Sequence, residues 1–147
     1  MVKVARRARE DVHGFDELPD LVPGADVVVL VVPLTDQTRQ LVDAGFLARM
    51  KDDALLVNVA RGAVVDTDAL LAELTSRRIA AAIDVVDPEP LPAGHPLWKA
   101  PRVLITPHIS AQSDFAVPAR WTVAVENLRR YAAGERMLNV VDLDRGF

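Results

Sequence analysis

The chain has 147 residues, 50% hydrophobic, 26% charged and 5% aromatic, which suits one compact domain and is too short for two full ones. Seventeen Lys and Arg against twenty-one Asp and Glu give a formal charge of -4, so there is no basic field to hold nucleic acid or an anionic membrane. The absence of cysteine excludes disulfides, thiolate metal sites and cysteine nucleophiles.

The N-terminus has no apolar signal-peptide core, and the longest apolar run, residues 27–33, is far short of the roughly 20 residues that cross a bilayer. A soluble, cytoplasmic protein is therefore expected. Residues 2–5 open the chain with a short strand-like pattern. Residues 26–32 are apolar without alternation and β-branched, the pattern of a strand in a parallel sheet. Further strands are expected at 54–59, 79–85 and 102–106. Helical spacing occupies 43–50 and 67–77; the second helix carries Leu70, Leu71 and Leu74 on one stripe, with Thr67 as N-cap and Arg77 and Arg78 at its end. This alternation predicts an α/β fold of right-handed βαβ units in a doubly wound parallel sheet. Residues 87–101 contain five prolines and predict a stiff loop. A long helix is expected over 114–133, with Trp121, Val125 and Leu128 on a stripe that needs a partner and Gly134 as its stop. Residues 135–147 read as an extended tail.

Ligands of open α/β sheets bind outside the carboxyl ends of the strands. Three residues stand there in the predicted layout: Arg61 after the second long strand, Glu89 after the third and His108 after the fourth. A guanidinium can grip a carboxylate and polarise an adjacent carbonyl. Histidine exchanges a proton near neutrality, and a neighbouring carboxylate stabilises its charged form. Together they make a proton-transfer site for a keto or hydroxy acid. Each has a plain structural alternative: a surface ion pair for Arg61, a solvated side chain for Glu89 and a packing role for His108. His95, inside the proline-rich loop, reads as loop packing, and His13 as solvated.

The strings VVPLTDQTRQL, LLVNVARGAVVDTDALLAEL, AAIDVVDPEPLPAGHPLW and VLITPHISAQS occur in order, and with them the sequence over residues 26–113 resembles the D-isomer-specific 2-hydroxyacid dehydrogenases. The resemblance implies the later half of a Rossmann-type nucleotide-binding domain and hydride transfer between NAD(P)H and a 2-keto or 2-hydroxy acid. It also implies that Arg61 binds the substrate carboxylate and carbonyl, that His108 is the acid/base, and that Glu89 pairs with it. Asp84 would bind the nicotinamide carboxamide, while Pro33, Thr38 and the backbone at Ala60 would line the cofactor. Formate dehydrogenases of the same family carry glutamine where Glu89 stands, so Glu89 favours hydroxy-acid chemistry, which needs a proton.

The seven glycines include no pair two residues apart, so a G-x-G-x-x-G loop for the cofactor pyrophosphate is absent. The expected organisation is a partial NAD(P)-binding domain over 1–112, a connecting helix over 113–134 and a tail over 135–147. After the opening strand, where the family commonly has an acidic residue for the adenosine ribose, stand Arg6 and Arg7. Two guanidiniums suit a 2'-phosphate, so NADP(H) is preferred over NAD(H). The resemblance implies a homodimer for the complete enzyme, acting on a small 2-keto or 2-hydroxy acid. The chain alone is expected to be inactive, and a second reading is a non-catalytic fragment or an interaction module like the family's corepressor relatives.

Overall fold

The structure, a computed structural model, describes residues 1–142, in two units that divide between Pro107 and His108. The last five residues of the expected tail, 143–147, lie outside the described residues.

The first unit begins with a short loop that backbone bonds close on itself. The amide of Ala5 donates to the carbonyl of His13, that of His13 to Lys3, and Arg9 and Val12 exchange both bonds. The strand expected at 2–5 is thus only an isolated bridge, Val4 to His13, and belongs to no sheet. Four residues cannot hold an extended form without a neighbouring strand, and none is present among the described residues. Helical turns over residues 15–24, including α1 (Leu18–Leu21), were not foreseen; prolines at 19 and 23 start two of them, a position where the missing N–H has no cost.

The expected alternation follows: β1 (Val27–Leu30), α2 (Ala44–Arg49), β2 (Leu55–Asn58), α3 (Thr67–Thr75), β3 (Ala80–Ile83) and β4 (Val103–Ile105). The strands form one parallel sheet in the order β1-β2-β3-β4, each paired with the next in sequence. Register explains the burial. Leu30, Leu56, Ala81 and Ile83 face the core with Leu47 of α2 and Leu70 and Leu74 of α3, whereas Val27 and Val29, on the opposite face, are exposed.

Two helix-end expectations are corrected. The N-cap of α3 is Asp66, whose carboxylate accepts from the Ala69 amide at 3.0 Å; Thr67 is the first helical residue. A carboxylate at that place also meets the positive end of the helix, so it displaces threonine from the role. The helix ends at Thr75, before Arg77, whose φ is 64°. Arg78 caps a different helix: its guanidinium donates to the carbonyls of Leu47 and Met50 at the end of α2 at 2.6 and 2.7 Å and to Glu73 at 2.6 Å. The Glu73 carboxylate holds the Arg78 pKa above its ordinary value. The proline-rich loop keeps its irregular path apart from one 3-10 turn, Pro96–Lys99.

The second unit contains α4 (Ala116–Ala132), with Trp121, Val125 and Leu128 exposed. Gly134, at φ 68°, donates to the Tyr131 carbonyl and Glu135 to that of Arg130, a Schellman end that needs a left-handed residue. The segment beyond folds back on α4: the Asn127 side chain donates to the Leu138 carbonyl at 3.0 Å and accepts from its amide at 2.6 Å. Glu126 bridges Arg129 and Arg130, and these bonds push its carboxyl down to about 2. No helix among the described residues is long and apolar enough to cross a membrane.

Candidate functional site

The carboxyl ends of four parallel strands form one rim, and in this unit the loops leaving it are tied together in order. After β1, the Thr38 hydroxyl donates to the Pro33 carbonyl at 2.7 Å and accepts from the Thr35 amide at 2.8 Å, closing a tight turn. Thr38 is buried and Pro33 exposed, so the threonine holds the turn that presents the proline. That loop is zipped to the one after β2: the amides of Gln40 and Val42 donate to the carbonyls of Ala63 and Val64, and Asp66 returns a bond to Val42.

The loop after β2 is shaped by Asn58, only 1% exposed. Its Oδ1 accepts from the Ala60 amide at 3.0 Å and its Nδ2 donates to the Arg61 carbonyl at 3.1 Å. The Arg61 guanidinium rests on the Ala60 carbonyl, with Nη1 at 2.7 Å, and the residue is exposed. Gly62 touches the backbone of the next loop: a Cβ built on it would stand 1.9 Å from the Val86 carbonyl oxygen and 2.7 Å from the Asp87 nitrogen. Beside this contact the Thr67 hydroxyl donates to the Asp87 carbonyl at 2.9 Å. The arginine loop and the proline-rich loop bearing Glu89 are therefore fastened at two adjacent points.

At the end of β3, Asp84 is 4% exposed; its amide donates to the Asn58 carbonyl at 2.9 Å, and its carboxylate accepts from the Thr106 hydroxyl, beyond β4, at 2.5 Å. Glu89 is exposed in the loop that follows. Pro33, Ala60, Arg61, Asp84 and Glu89 thus leave the carboxyl ends of three neighbouring strands of the first unit. His108 opens the second unit, exposed and at φ 55°, a left-handed conformation uncommon for a residue with a side chain. Arg6 and Arg7 sit exposed and adjacent at a bend in the N-terminal segment, with Arg9 two residues on at the start of a tight turn.

His95 caps the turn at Pro96–Lys99 through Nδ1, which accepts from the Leu97 amide at 3.2 Å. His13 differs from expectation: its Nδ1 is 2.6 Å from Glu17 Oε2, and this bond, with one from the Gly14 amide, holds the Glu17 carboxyl below its ordinary range. Sequence reasoning missed Asn58, Gly62 and Thr106. For Asn58 a signal existed, since an asparagine two residues before a turn peptide bonds it locally. For Gly62 and Thr106 the partner lies far along the chain.

By their chemistry these residues could hold one half of a nicotinamide dinucleotide: Asp84 carries an acceptor, Pro33 an apolar ring and Arg61 a cation, on loops that leave the same rim. A cradle for the pyrophosphate is absent among the described residues, where no glycine-rich turn leads into a helix of two turns or more.

A parallel half-sheet whose polar groups gather at its carboxyl rim defines the later half of a Rossmann-type nucleotide-binding domain. Residues 2–110 match the family described as "D-isomer specific 2-hydroxyacid dehydrogenase, NAD binding domain", and the chain belongs to that family. It is 37% identical over 138 residues to glyoxylate/hydroxypyruvate reductase A of Photorhabdus laumondii, covering 92% of this chain and 43% of that protein. Among crystal structures, a D-isomer specific 2-hydroxyacid dehydrogenase from Xanthobacter autotrophicus Py2 in complex with NADPH and MES superposes with a TM-score of 0.83 at 44% identity, covering 98% of this chain and 61% of that one. The NADPH-dependent glyoxylate/hydroxypyruvate reductase of Sinorhizobium meliloti, in complex with NADP and sulfate, gives a TM-score of 0.85 at 27% identity, covering 98% and 48%. The chain spans about half the length of the curated relatives it matches.

Proposed function

We propose that this chain supplies the nicotinamide-binding and proton-transfer half of a reductase that converts a small 2-keto acid into the 2-hydroxy acid with NAD(P)H. The observation that carries the reading is the pair of strand ends at β2 and β3, where the exposed Arg61 guanidinium and the buried Asp84 carboxylate leave one rim. Arg61 forks onto the substrate carboxylate and draws charge from the carbonyl oxygen. A nicotinamide held there would supply the hydride for the carbonyl carbon. His108 delivers the proton to the carbonyl oxygen, and Glu89 keeps that imidazole protonated and oriented. Asp84, steadied by Thr106, accepts from the carboxamide; Pro33, the turn held by Thr38 and the backbone at Ala60 line the ring.

Arg6 and Arg7 make NADPH the preferred cofactor, because a 2'-phosphate gives two guanidiniums an anion to pair with. The NADPH and NADP bound in the Xanthobacter and Sinorhizobium proteins support this choice, and the reductases among the relatives support glyoxylate or hydroxypyruvate as the substrate. The working form is a cytoplasmic homodimer. Turnover requires these residues joined to a glycine-rich phosphate loop, so the 147-residue chain by itself is expected to be inactive.

In the complete enzyme, His108→Gln should lower glyoxylate reduction by about 10²-fold to 10⁴-fold while the NADPH dissociation constant stays nearly unchanged. Wild-type turnover by that variant would refute the assignment.

A further inference from the structure

We propose that Asn58 is a positioning residue for this reaction: its buried amide grips the peptide units on both sides of the Ala60–Arg61 peptide and so sets where the Arg61 guanidinium stands on the rim. The inference rests on the reading of Arg61 as the group that binds the substrate carboxylate.

Asn58 interrupts an apolar row. By register it lies between Leu30 of β1 and Ile83 of β3, with Ile105 of β4 beyond, and all three neighbours are aliphatic. A primary amide in such a place costs free energy unless both its donor and its acceptor are satisfied. Here both are committed to one turn. Oδ1 holds the peptide between Val59 and Ala60, Nδ2 holds the peptide between Arg61 and Gly62, and the peptide between these two carries the carbonyl on which the guanidinium rests. Leucine would fill the strand position equally well but would leave the Ala60 amide unpaired and the Arg61 carbonyl with only the Val64 amide, at 3.2 Å. The side chain is therefore explained by the geometry of the turn and not by packing of the sheet.

The effect reaches further than Arg61. Gly62 completes the second gripped peptide and lies in backbone contact with Val86 and Asp87. Asn58 thereby also fixes the seat against which the proline-rich loop of Glu89 packs. Its own carbonyl takes the amide of Asp84. One buried residue thus touches the backbone on which three candidate site residues depend.

The test has two independent readouts. In the complete enzyme, Asn58→Ala should raise the KM for glyoxylate by about tenfold to a hundredfold with a smaller fall in kcat, as expected when a clamp is displaced. In an Arg61→Ala background the same substitution should have almost no further effect on KM, because the group it positions is gone. Additive losses, or an unchanged KM in the single variant, overturn the proposal. Asn58→Asp keeps the acceptor for Ala60 and loses the donor to Arg61, so its KM should fall between those of wild type and Asn58→Ala. A value equal to wild type overturns the assigned role of Nδ2.

The second readout is amide hydrogen exchange in this chain. Asn58→Ala should speed exchange at Ala60 by at least about tenfold while residues 55–57 keep their protection. Unchanged exchange at Ala60 overturns the proposal, whatever the kinetics. If the wild-type enzyme reduces no keto acid with either cofactor, the functional reading fails; the exchange measurement then still decides whether Asn58 shapes the turn.

Discussion

Replacing Gly62 by alanine isolates the fastening between the arginine loop and the proline-rich loop. The φ of Gly62 lies outside the left-handed region, so alanine is sterically allowed by the backbone itself and would stabilise the protein by about 0.4 to 1 kcal/mol through loss of unfolded-state entropy. Against this stands the new methyl, 1.9 Å from the Val86 carbonyl oxygen and 2.1 Å from its carbon. Ordinary contact begins near 3.4 Å, so the two backbones must part by roughly 1.5 Å, and neither partner is a side chain that can swing away. Such overpacking costs about 1 to 3 kcal/mol, and a parting of that size also breaks the Thr67 to Asp87 bond, worth about 1 kcal/mol. The net destabilisation is about 1 to 3.5 kcal/mol, which lowers Tm by roughly 2 to 14 °C for a chain of this length. Thermal melts followed by circular dichroism, with urea unfolding to check that the m-value is constant, measure it. A Tm equal to or above wild type would show that the loops do not meet as described, and that conformational entropy dominates the substitution.

Arg78→Met removes the guanidinium from the carbonyls of Leu47 and Met50 and strands the half-buried Glu73; about 2 to 3 kcal/mol of stability should be lost, read from urea midpoints, and a midpoint within experimental error of wild type would refute the capping role. Glu126 should titrate near 2 in the folded chain because Arg129 and Arg130 bond its carboxylate. Its folded pKa lies below the unfolded value of 4.5, so the stability it contributes is present above that value and is lost as pH falls toward 2. An NMR titration of the Glu126 carboxyl carbon checks this, and a midpoint near 4.5 would refute it.

The parallel sheet was legible because its strands, buried on one face and flanked by short helices, are long enough in apolar residues to stand out from the turns around them. Val27 to Leu30 needs no partner to be recognised as a strand. The opening segment was misread because two valines flanking a lysine satisfy the same pattern, and only the tertiary neighbour decides whether a strand exists. Thr67 lost the cap to Asp66 because both residue types suit that position and the choice depends on where the backbone turns, which is set by the Val42 and Asp66 bond between loops. In the candidate site, the charged groups were visible from their chemistry. The parts that hold them were not: the Gly62 contact and the Thr106 hydroxyl act on residues distant in sequence, and nothing local marks them. Asn58 was the exception, a polar residue at the end of an apolar strand beside the arginine it shapes.

Each strand of the sheet pairs with its successor in sequence, and every such pairing closes a loop of roughly 25 residues. Assembly can therefore proceed by adding one neighbour at a time, without a long excursion of the chain before any contact forms. The loops that meet at the rim are also consecutive in this order, and the bonds from Gln40 to Ala63, from Thr67 to Asp87 and from Thr106 to Asp84 each fasten one loop to its neighbour. A substitution at any of these seams therefore loosens two neighbouring loops of the rim together.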